Sequence, residues 1–205
     1  INHEPLLSAL ASASLRRLCD ADAQNLSNMA WALAALAVED MPLFNAIAAS
    51  SIPLMSCTQL DPQHLSNTAW AFSTIAFEHK PLFQAISSPA IRTIGECDSR
   101  NISNTFWSLA TLSRRDAPLF KALAAQAIRT YTVLAAQDLS NLAWSCAQLA
   151  FVDYPLMDAL AAAARAKIPD FDAQDIANTA WSFAYFIYAD EPLLEALAAA
   201  AMLRI

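Results

Sequence analysis

The sequence predicts an all-α fold, an α-solenoid of stacked two-helix repeats with about five full 37-residue units after one N-terminal half unit. Three observations carry this. The word Leu65-Ser66-Asn67-Thr68-Ala69-Trp70 recurs as Leu26-Ser27-Asn28-Met29-Ala30-Trp31, Ile102-Ser103-Asn104-Thr105-Phe106-Trp107, Leu139-Ser140-Asn141-Leu142-Ala143-Trp144 and Ile176-Ala177-Asn178-Thr179-Ala180-Trp181, which uses all five tryptophans. These tryptophans lie 39, 37, 37 and 37 residues apart, and a Pro-Leu pair keeps pace at Pro5, Pro42, Pro81, Pro118, Pro155 and Pro192. Each Trp precedes its Pro by 11 residues and each Pro precedes the next Trp by 26, except Pro42 to Trp70, where the gap is 28. Finally, a single glycine in 205 residues argues against sheets joined by tight hairpins, whereas abundant alanine suits closely packed helices.

The array divides into a half unit 1–21 and repeats 22–60, 61–97, 98–134, 135–171 and 172–205, read as one elongated domain. The chain opens on Ile1 inside a Pro-Leu half unit and closes on Ala201-Met202-Leu203-Arg204-Ile205 with no polar capping unit. Flanking repeats in a longer protein are therefore expected, since an array cut at apolar faces needs a cover.

Within the half unit a second-type helix, helix B, opens at Pro5. In the full units a first helix, helix A, starts at Asp22, Asp61, Asp98 or Asp172, where a carboxylate can accept from a free backbone N–H of the first turn. The fourth unit has Ala135-Ala136 instead, which predicts the weakest start, with the preceding helix running on or fraying there. Helix A continues through the Trp words to about Val38, Phe77, Arg114, Phe151 and Tyr188. Helix B then begins at Pro-Leu, because proline's missing N–H costs nothing in a first turn. Its apolar spacing, as in Leu119, Leu123, Ala127 and Phe120, Ala124, Ile128, is helical. Ser88-Pro89 predicts a kink or restart, and Ile52-Pro53 with the two inserted residues predicts a shortened helix and a longer connection.

Composition bounds the function. Hydrophobic residues make up 57% of the chain, enough for a large core, and the formal charge of −7 with a pI near 4.8 weighs against a broad basic surface while leaving room for a local basic strip. Cys19, Cys57, Cys97 and Cys146 form no C-x-x-C pair, so buried structural thiols in a reduced compartment are expected. No apolar run reaches the roughly 20 residues of a membrane span; the nearest, 176–189, is interrupted by Asn178 and Ser182. There is no Gly-rich phosphate loop or metal-ligand spacing, and His3, His64 and His79 have no repeated carboxylate or cysteine partner. A non-enzymatic protein without cofactor or metal is expected.

The candidate site is a stripe along helix A. It runs Gln24, Asn25, Asn28, Ala32, Ala35 in the first unit, and continues as Gln63, His64, Asn67, Ala71, Thr74, then Arg100, Asn101, Asn104, Ser108, Thr111, then Gln137, Asp138, Asn141, Ser145, Gln148, then Gln174, Asp175, Asn178, Ser182, Tyr185. Stacking would align an Asn ladder (Asn28, Asn67, Asn104, Asn141, Asn178) beside a changing residue (Asn25, His64, Asn101, Asp138, Asp175), as unit-by-unit recognition of a linear ligand requires. On the structural alternative each Asn holds a turn or neighbouring helix by side-chain hydrogen bonds. Leu, Ala and Trp of the word are assigned to packing. Arg16, Arg92 and Arg129 each follow their Pro by 11 residues, with Arg165 one position off register. They suit either a helix C-terminus or a row of phosphate contacts.

The words Leu65-Ser66-Asn67-Thr68-Ala69-Trp70-Ala71-Phe72 and Pro81-Leu82-Phe83-Gln84-Ala85-Ile86 resemble the octotricopeptide and heptatricopeptide repeats, helix pairs of about 37 to 38 residues. The resemblance covers nearly the whole chain. It implies an organellar (chloroplast or mitochondrial) RNA-binding factor acting in maturation, stability or translation of transcripts; the RAP domain some members carry is not visible. Single-stranded RNA is then the expected ligand, and the alternative is a protein scaffold or accessory subunit of a large organellar complex. Armadillo repeats match less well, because their Asn follows Trp by four whereas here it precedes Trp by three. Tetratricopeptide repeats have a different Trp and Gly pattern.

Overall fold

A computed structural model describes residues 18–56 and 60–203. The helix expected at Pro5, together with Arg16 and Cys57, lies outside them. Among the described residues there are ten α-helices and no strand: α1 Ala23–Ala35, α2 Met41–Leu54, α3 Pro62–Thr74, α4 Lys80–Arg92, α5 Ser99–Thr111, α6 Ala117–Thr130, α7 Ala136–Gln148, α8 Tyr154–Lys167, α9 Ala173–Tyr185 and α10 Glu191–Met202. Odd-numbered helices are the A type and carry the Trp words; even-numbered helices are the B type.

The chain divides into two compact units, Ile1–Thr93 and Ile94–Ile205. In the first, α1 packs along α3 and α2 along α4, with hairpin contacts between α1 and α2 and between α3 and α4. In the second, α5, α7 and α9 pack successively, as do α6, α8 and α10, and each A helix also packs on its own B helix. Each unit is thus a two-layered stack of helix pairs of the solenoid type.

The caps follow the sequence. Asp22, Asp98 and Asp172 accept from the N–H of Asn25, Asn101 and Asp175 at 2.7–2.8 Å, and Asp61 from that of Gln63 at 2.8 Å. The B helices are capped two residues before proline, where Asp40, Asp116, Asp153 and Asp190 accept from Leu43, Leu119, Leu156 and Leu193 at 2.9–3.1 Å. His79 Nδ1 performs the same task for Leu82 at 3.1 Å. Each such cap satisfies one N–H the first turn leaves open, worth about 1 kcal/mol.

Three local expectations are corrected. The A helices end about three residues earlier than the spacing predicts, because residues 37, 76, 113, 150 and 187 turn left-handed. Ala37, Ala76, Ser113, Ala150 and Ile187 have φ of 50–53°, and none is glycine. Around them run the paired bonds of a Schellman motif, such as Phe77 N–H to Phe72 O at 2.8 Å and Ala76 N–H to Ser73 O at 3.0 Å. The residue after each left-handed one folds back on the helix: Phe77 stacks on Phe72 at 5.8 Å and Tyr188 meets Phe183 edge-on at 5.7 Å. Those apolar contacts oppose the roughly 1–2 kcal/mol that a left-handed non-glycine residue costs.

The fourth A helix is neither frayed nor fused to its predecessor. α6 stops at Thr130, a 3₁₀ turn spans Tyr131–Val133, and α7 begins at Ala136. Ala135 has no side-chain acceptor, but its N–H donates to Asp138 Oδ2 at 3.3 Å, and Leu134 just before it is fully buried. Half of a capping box and an apolar anchor hold the start. Likewise the prolines interrupt nothing: α2 keeps 14 residues with Pro53 in its last turn, and α4 runs through the buried Pro89. Each proline removes one backbone bond, and near a helix C-terminus few bonds depend on it.

The A helices meet through small residues. Ser27, Ala30 and Ala34 of α1, Ser66, Ala69 and Ser73 of α3, and Ser140, Ala143 and Ala147 of α7 are all buried. Such side chains let axes approach the short end of the roughly 8–10 Å range. Their hydroxyls return to the helix, as in Ser27 Oγ to Gln24 O at 3.0 Å and Ser73 Oγ to Ala69 O at 2.8 Å. Between the layers sit phenylalanines, with Phe44 against Phe72 at 5.1 Å and Phe106 against Phe120 at 5.3 Å, each contributing about 2–3 kcal/mol by burial.

Cys146 is fully buried, and desolvation, helped by the Asp153 charge, pushes its thiol up to about 12. A polar tie joins α8 to the turn before α10: Arg165 Nη1 contacts both Asp190 oxygens at 2.5–2.7 Å, and Tyr188 OH donates to Asp158. That hydrogen bond, followed by desolvation, raises the Tyr188 phenol to about 12. At Asp190 burial alone would raise the carboxyl, yet the hydrogen bonds from Arg165 and Leu193 and the Arg165 charge together hold it below its ordinary value.

Candidate functional site

On every A helix, four positions spaced i, i+4, i+7 and i+11 form one face. They are Gln24, Asn28, Trp31, Ala35 on α1; Gln63, Asn67, Trp70, Thr74 on α3; Arg100, Asn104, Trp107, Thr111 on α5; Gln137, Asn141, Trp144, Gln148 on α7; and Gln174, Asn178, Trp181, Tyr185 on α9. All are exposed or partly exposed, whereas Ala71, Ser108, Ser145 and Ser182, which the sequence places on the stripe, are fully buried. Within each unit these faces form a ridge, and the two ridges, α1 with α3 and α5 with α7 and α9, are the candidate site.

Its centre is the Asn ladder. The Asn backbone is tied in, since Ser108, Ser145 and Ser182 each donate Oγ to the carbonyl of Asn104, Asn141 or Asn178 at 2.6 Å. The carboxamides of Asn67, Asn104, Asn141 and Asn178 are partly exposed and have no hydrogen-bond partner among the described residues. They therefore do not hold a turn or a neighbouring helix, and each offers a donor and an acceptor side by side.

The changing residue beside the ladder behaves otherwise. Asn101, Asp138 and Asp175 are only 6–8% exposed, and His64 is partly buried; only Asn25, on the first helix described, is exposed. This is the third residue of each helix, where a carboxylate can complete the cap. Asp175 Oδ2 accepts from Asp172 N–H at 3.1 Å and its Oδ1 from Ser140 Oγ at 2.6 Å. Asp138 is thus spent on capping, and Asp175 on capping and helix-to-helix contact.

The tryptophans are corrected in the opposite sense. Trp31 and Trp181 are 48% and 46% exposed, Trp70, Trp107 and Trp144 are partly exposed, and none belongs to the buried core to which the sequence reading assigns them. Trp31 and Trp70 face each other with centroids 6.3 Å apart and planes tilted by 32°. The spacing alone leaves this open, because Trp lies three residues after each Asn and the changing residue three before it.

Charge is distributed unevenly. Although the chain carries −7, no ridge position on any A helix is acidic, and Arg100 makes the ridge locally positive. Arg100 sits in the first turn of α5, where the helix dipole disfavours a cation. Arg92 and Arg129, by contrast, lie in the last turns of α4 and α6 and bond within the chain: Arg92 to Ser88 Oγ at 3.3 Å and Met55 O at 3.5 Å, Arg129 to Gln126 Oε1 at 2.6–3.0 Å. In the first unit a cleft of about 370 Å³ opens between the starts of α1 and α3, bordered by Gln24, His64, Asp22 and Asp61.

Residues 81–164 match the family described as RNA-editing substrate-binding complex 6 protein. The matched stretch runs from Pro81 in α4 into α8 and contains two complete ridge rows, those of α5 and α7. The likeness to the RNA-editing substrate-binding complex 6 family covers part of the chain, and it is to this helical RNA-editing family rather than to octotricopeptide or heptatricopeptide repeats. No curated protein matches the chain. Among the described residues no group of three or more His, Cys, Asp or Glu comes together, and no helix is long and apolar enough to cross a membrane.

Proposed function

We propose that this protein is a non-enzymatic, cofactor-free binding component that holds single-stranded RNA along the ridge of its A helices, as part of a larger RNA-processing assembly in an organelle. The observation that carries the reading is the ladder of partly exposed carboxamides, one per A helix, on a face free of carboxylates. A surface of this kind suits a linear ligand with one polar group per repeat, and the ridge positions themselves carry no acidic group to repel phosphate, although Asp22 and Asp61 border the first-turn end of the ridge in the first unit. The name of the matched family, an RNA-editing substrate-binding complex component, supports both the RNA and the assembly. An organellar location rests on the repeat resemblance, and the family likeness lends its chloroplast half no support.

Filter binding of single-stranded RNA at low salt tests this. Retention that drops for Asn104→Ala/Asn141→Ala, with folding intact by circular dichroism, is the expected result; no retention by the folded protein would sink the reading. One observation favours the scaffold alternative: Leu194, Met202 and Leu203 on and after α10 are 38–88% exposed. If that face docks a protein subunit, Leu194→Glu abolishes co-purification with the assembly without changing RNA retention.

A further inference from the structure

We propose that the cleft between the starts of α1 and α3 holds an arginine side chain supplied by a partner protein. This contact belongs to the assembly part of the function proposed above and is independent of its RNA part. The cleft lies wholly within the first compact unit, and its volume of about 370 Å³ falls in the range of built ligand sites, about 300–1,000 Å³. Of the residues that border it, Leu60 is buried and Ala23 and Leu54 are half-buried, whereas Asp22 and Asp61 are exposed, so apolar surface lies inward and charge outward. Each aspartate caps its helix with one oxygen: Asp22 Oδ1 accepts from Asn25 N–H at 2.7 Å, and Asp61 Oδ1 from Gln63 N–H at 2.8 Å. The second oxygen of each has no hydrogen-bond partner among the described residues. A helix start offsets only about half an elementary charge, so two full carboxylates leave the mouth negative. That disfavours a phosphate-bearing nucleotide and favours a cation. Guanidinium fits best, because its planar fork of N–H donors matches carboxylate oxygens and its aliphatic stem can lie along leucine.

Two groups beside the carboxylates also lack a partner. Ser51 of α2 is 4% exposed and its Oγ has no hydrogen-bond partner. It lines a recess of about 10 Å³ whose wall includes Ala23, Leu54, Leu60 and His64, four residues that border the cleft as well. A buried hydroxyl is costly to leave unpaired, and the recess has room for one small polar group. His64 occupies the position that Asp138 and Asp175 use for capping in the second unit, yet it is only partly buried and its imidazole has no hydrogen-bond partner among the described residues. A ring placed there gives the guanidinium plane a face to stack on. The repeat concerned is the one with two inserted residues, and the insertion falls between Pro42 and Trp70, the part of the chain that carries Ser51, Leu54, Leu60, Asp61 and His64.

The test is an NMR titration of the whole chain at low salt with the amidated tripeptide Gly-Arg-Gly, following the His64 ring and the Leu54 and Leu60 methyls. His79, which caps α4 through Leu82, is the internal control. Saturable shifts at His64 without shifts at His79 are expected, with little response to the citrulline analogue, which keeps the shape of arginine without its charge. Asp22→Asn combined with Asp61→Asn keeps both caps, since Asn caps as well as Asp, and should weaken the peptide about 3- to 30-fold, as two exposed charge pairs predict. Ser51→Ala is the second variant. It should weaken the peptide while holding or raising the urea midpoint, because the hydroxyl has no partner to lose. No saturable shift at His64, an equal response to the citrulline analogue, or full affinity in both variants overturns the site. Saturable occupation by cytidine or uridine monophosphate in place of the peptide also overturns it and assigns the cleft to RNA. Filter binding of RNA is read separately, so failure of the arginine site leaves the ridge standing, and failure of the ridge leaves the arginine site standing.

Discussion

The Ser140 hydroxyl donates to Asp175 Oδ1 at 2.6 Å and so joins α7 to α9 across a repeat boundary. Because the other Asp175 oxygen takes the Asp172 N–H, the carboxylate is fully used within the fold. Asp175→Ala should cost about 2 kcal/mol of stability, the scale of hydrogen bonds to a charged group, and leave RNA affinity unchanged. Urea unfolding beside filter binding separates the two. A stable variant with weakened RNA binding would return Asp175 to the interface.

Ile187 adopts φ 53° while 91% exposed, so it has a strained backbone and almost no burial to offset it. Ile187→Gly should stabilise the chain by about 1 kcal/mol, and Ala76→Gly by somewhat less, since β-branching adds to the strain. An unchanged or lowered urea midpoint would mean that this turn relaxes in solution.

Ala135 is the one A-helix start without a side-chain cap. Ala135→Asp restores the pattern of Asp172 with Asp175, in which both acids are accommodated. A gain of about 1 kcal/mol is expected in thermal or urea unfolding.

At Arg100, stability and binding should move in opposite directions. Replacing this first-turn cation by the Gln found in the other repeats relieves the dipole conflict, about 0.3–0.5 kcal/mol. Arg100→Gln should also weaken RNA binding and reduce the slope of log affinity against log salt by about one. Titrating affinity between low and moderate salt checks it; an unchanged slope would remove Arg100 from phosphate contact.

The α8 tie predicts two pH effects of known sign. Asp190 is held below its ordinary value in the fold, so its contribution is present above the unfolded carboxyl value and is lost as pH falls through the folded one. Tyr188 is raised to about 12, so its contribution is present below the unfolded phenol value near 10 and is lost as pH rises through about 12. Ultraviolet titration should show one late tyrosine, which Tyr188→Phe removes.

Much of the fold is readable in the chain because its signals are local. Asp before the first turn and Pro in the B helices act within a few residues, and the structure uses them at Asp22, Asp61, Asp98, Asp172 and beside the Pro-Leu pairs at Pro42, Pro81, Pro118, Pro155 and Pro192. The left-handed turns are not readable, since Ala37, Ser113 and Ile187 carry no glycine-like signal and the conformation is imposed by closing the hairpin onto Val38, Arg114 and Tyr188.

What the sequence by itself determined is the repeat, its 37-residue period, the helix pairs, most of their caps and the Asn ladder as the centre of a face. What only the tertiary structure decided is which flank of that ladder is left open to solvent and which is drawn between helices. The residues three before and three after each Asn lie about 60° to either side on a helical wheel, so periodicity cannot choose between them. Neighbouring A helices chose: they close through small groups such as Ser140, whose hydroxyl reaches Asp175, and that close approach accepts a carboxylate or carboxamide but not an indole. The third residue is drawn into the contact, and the tryptophan is left outside.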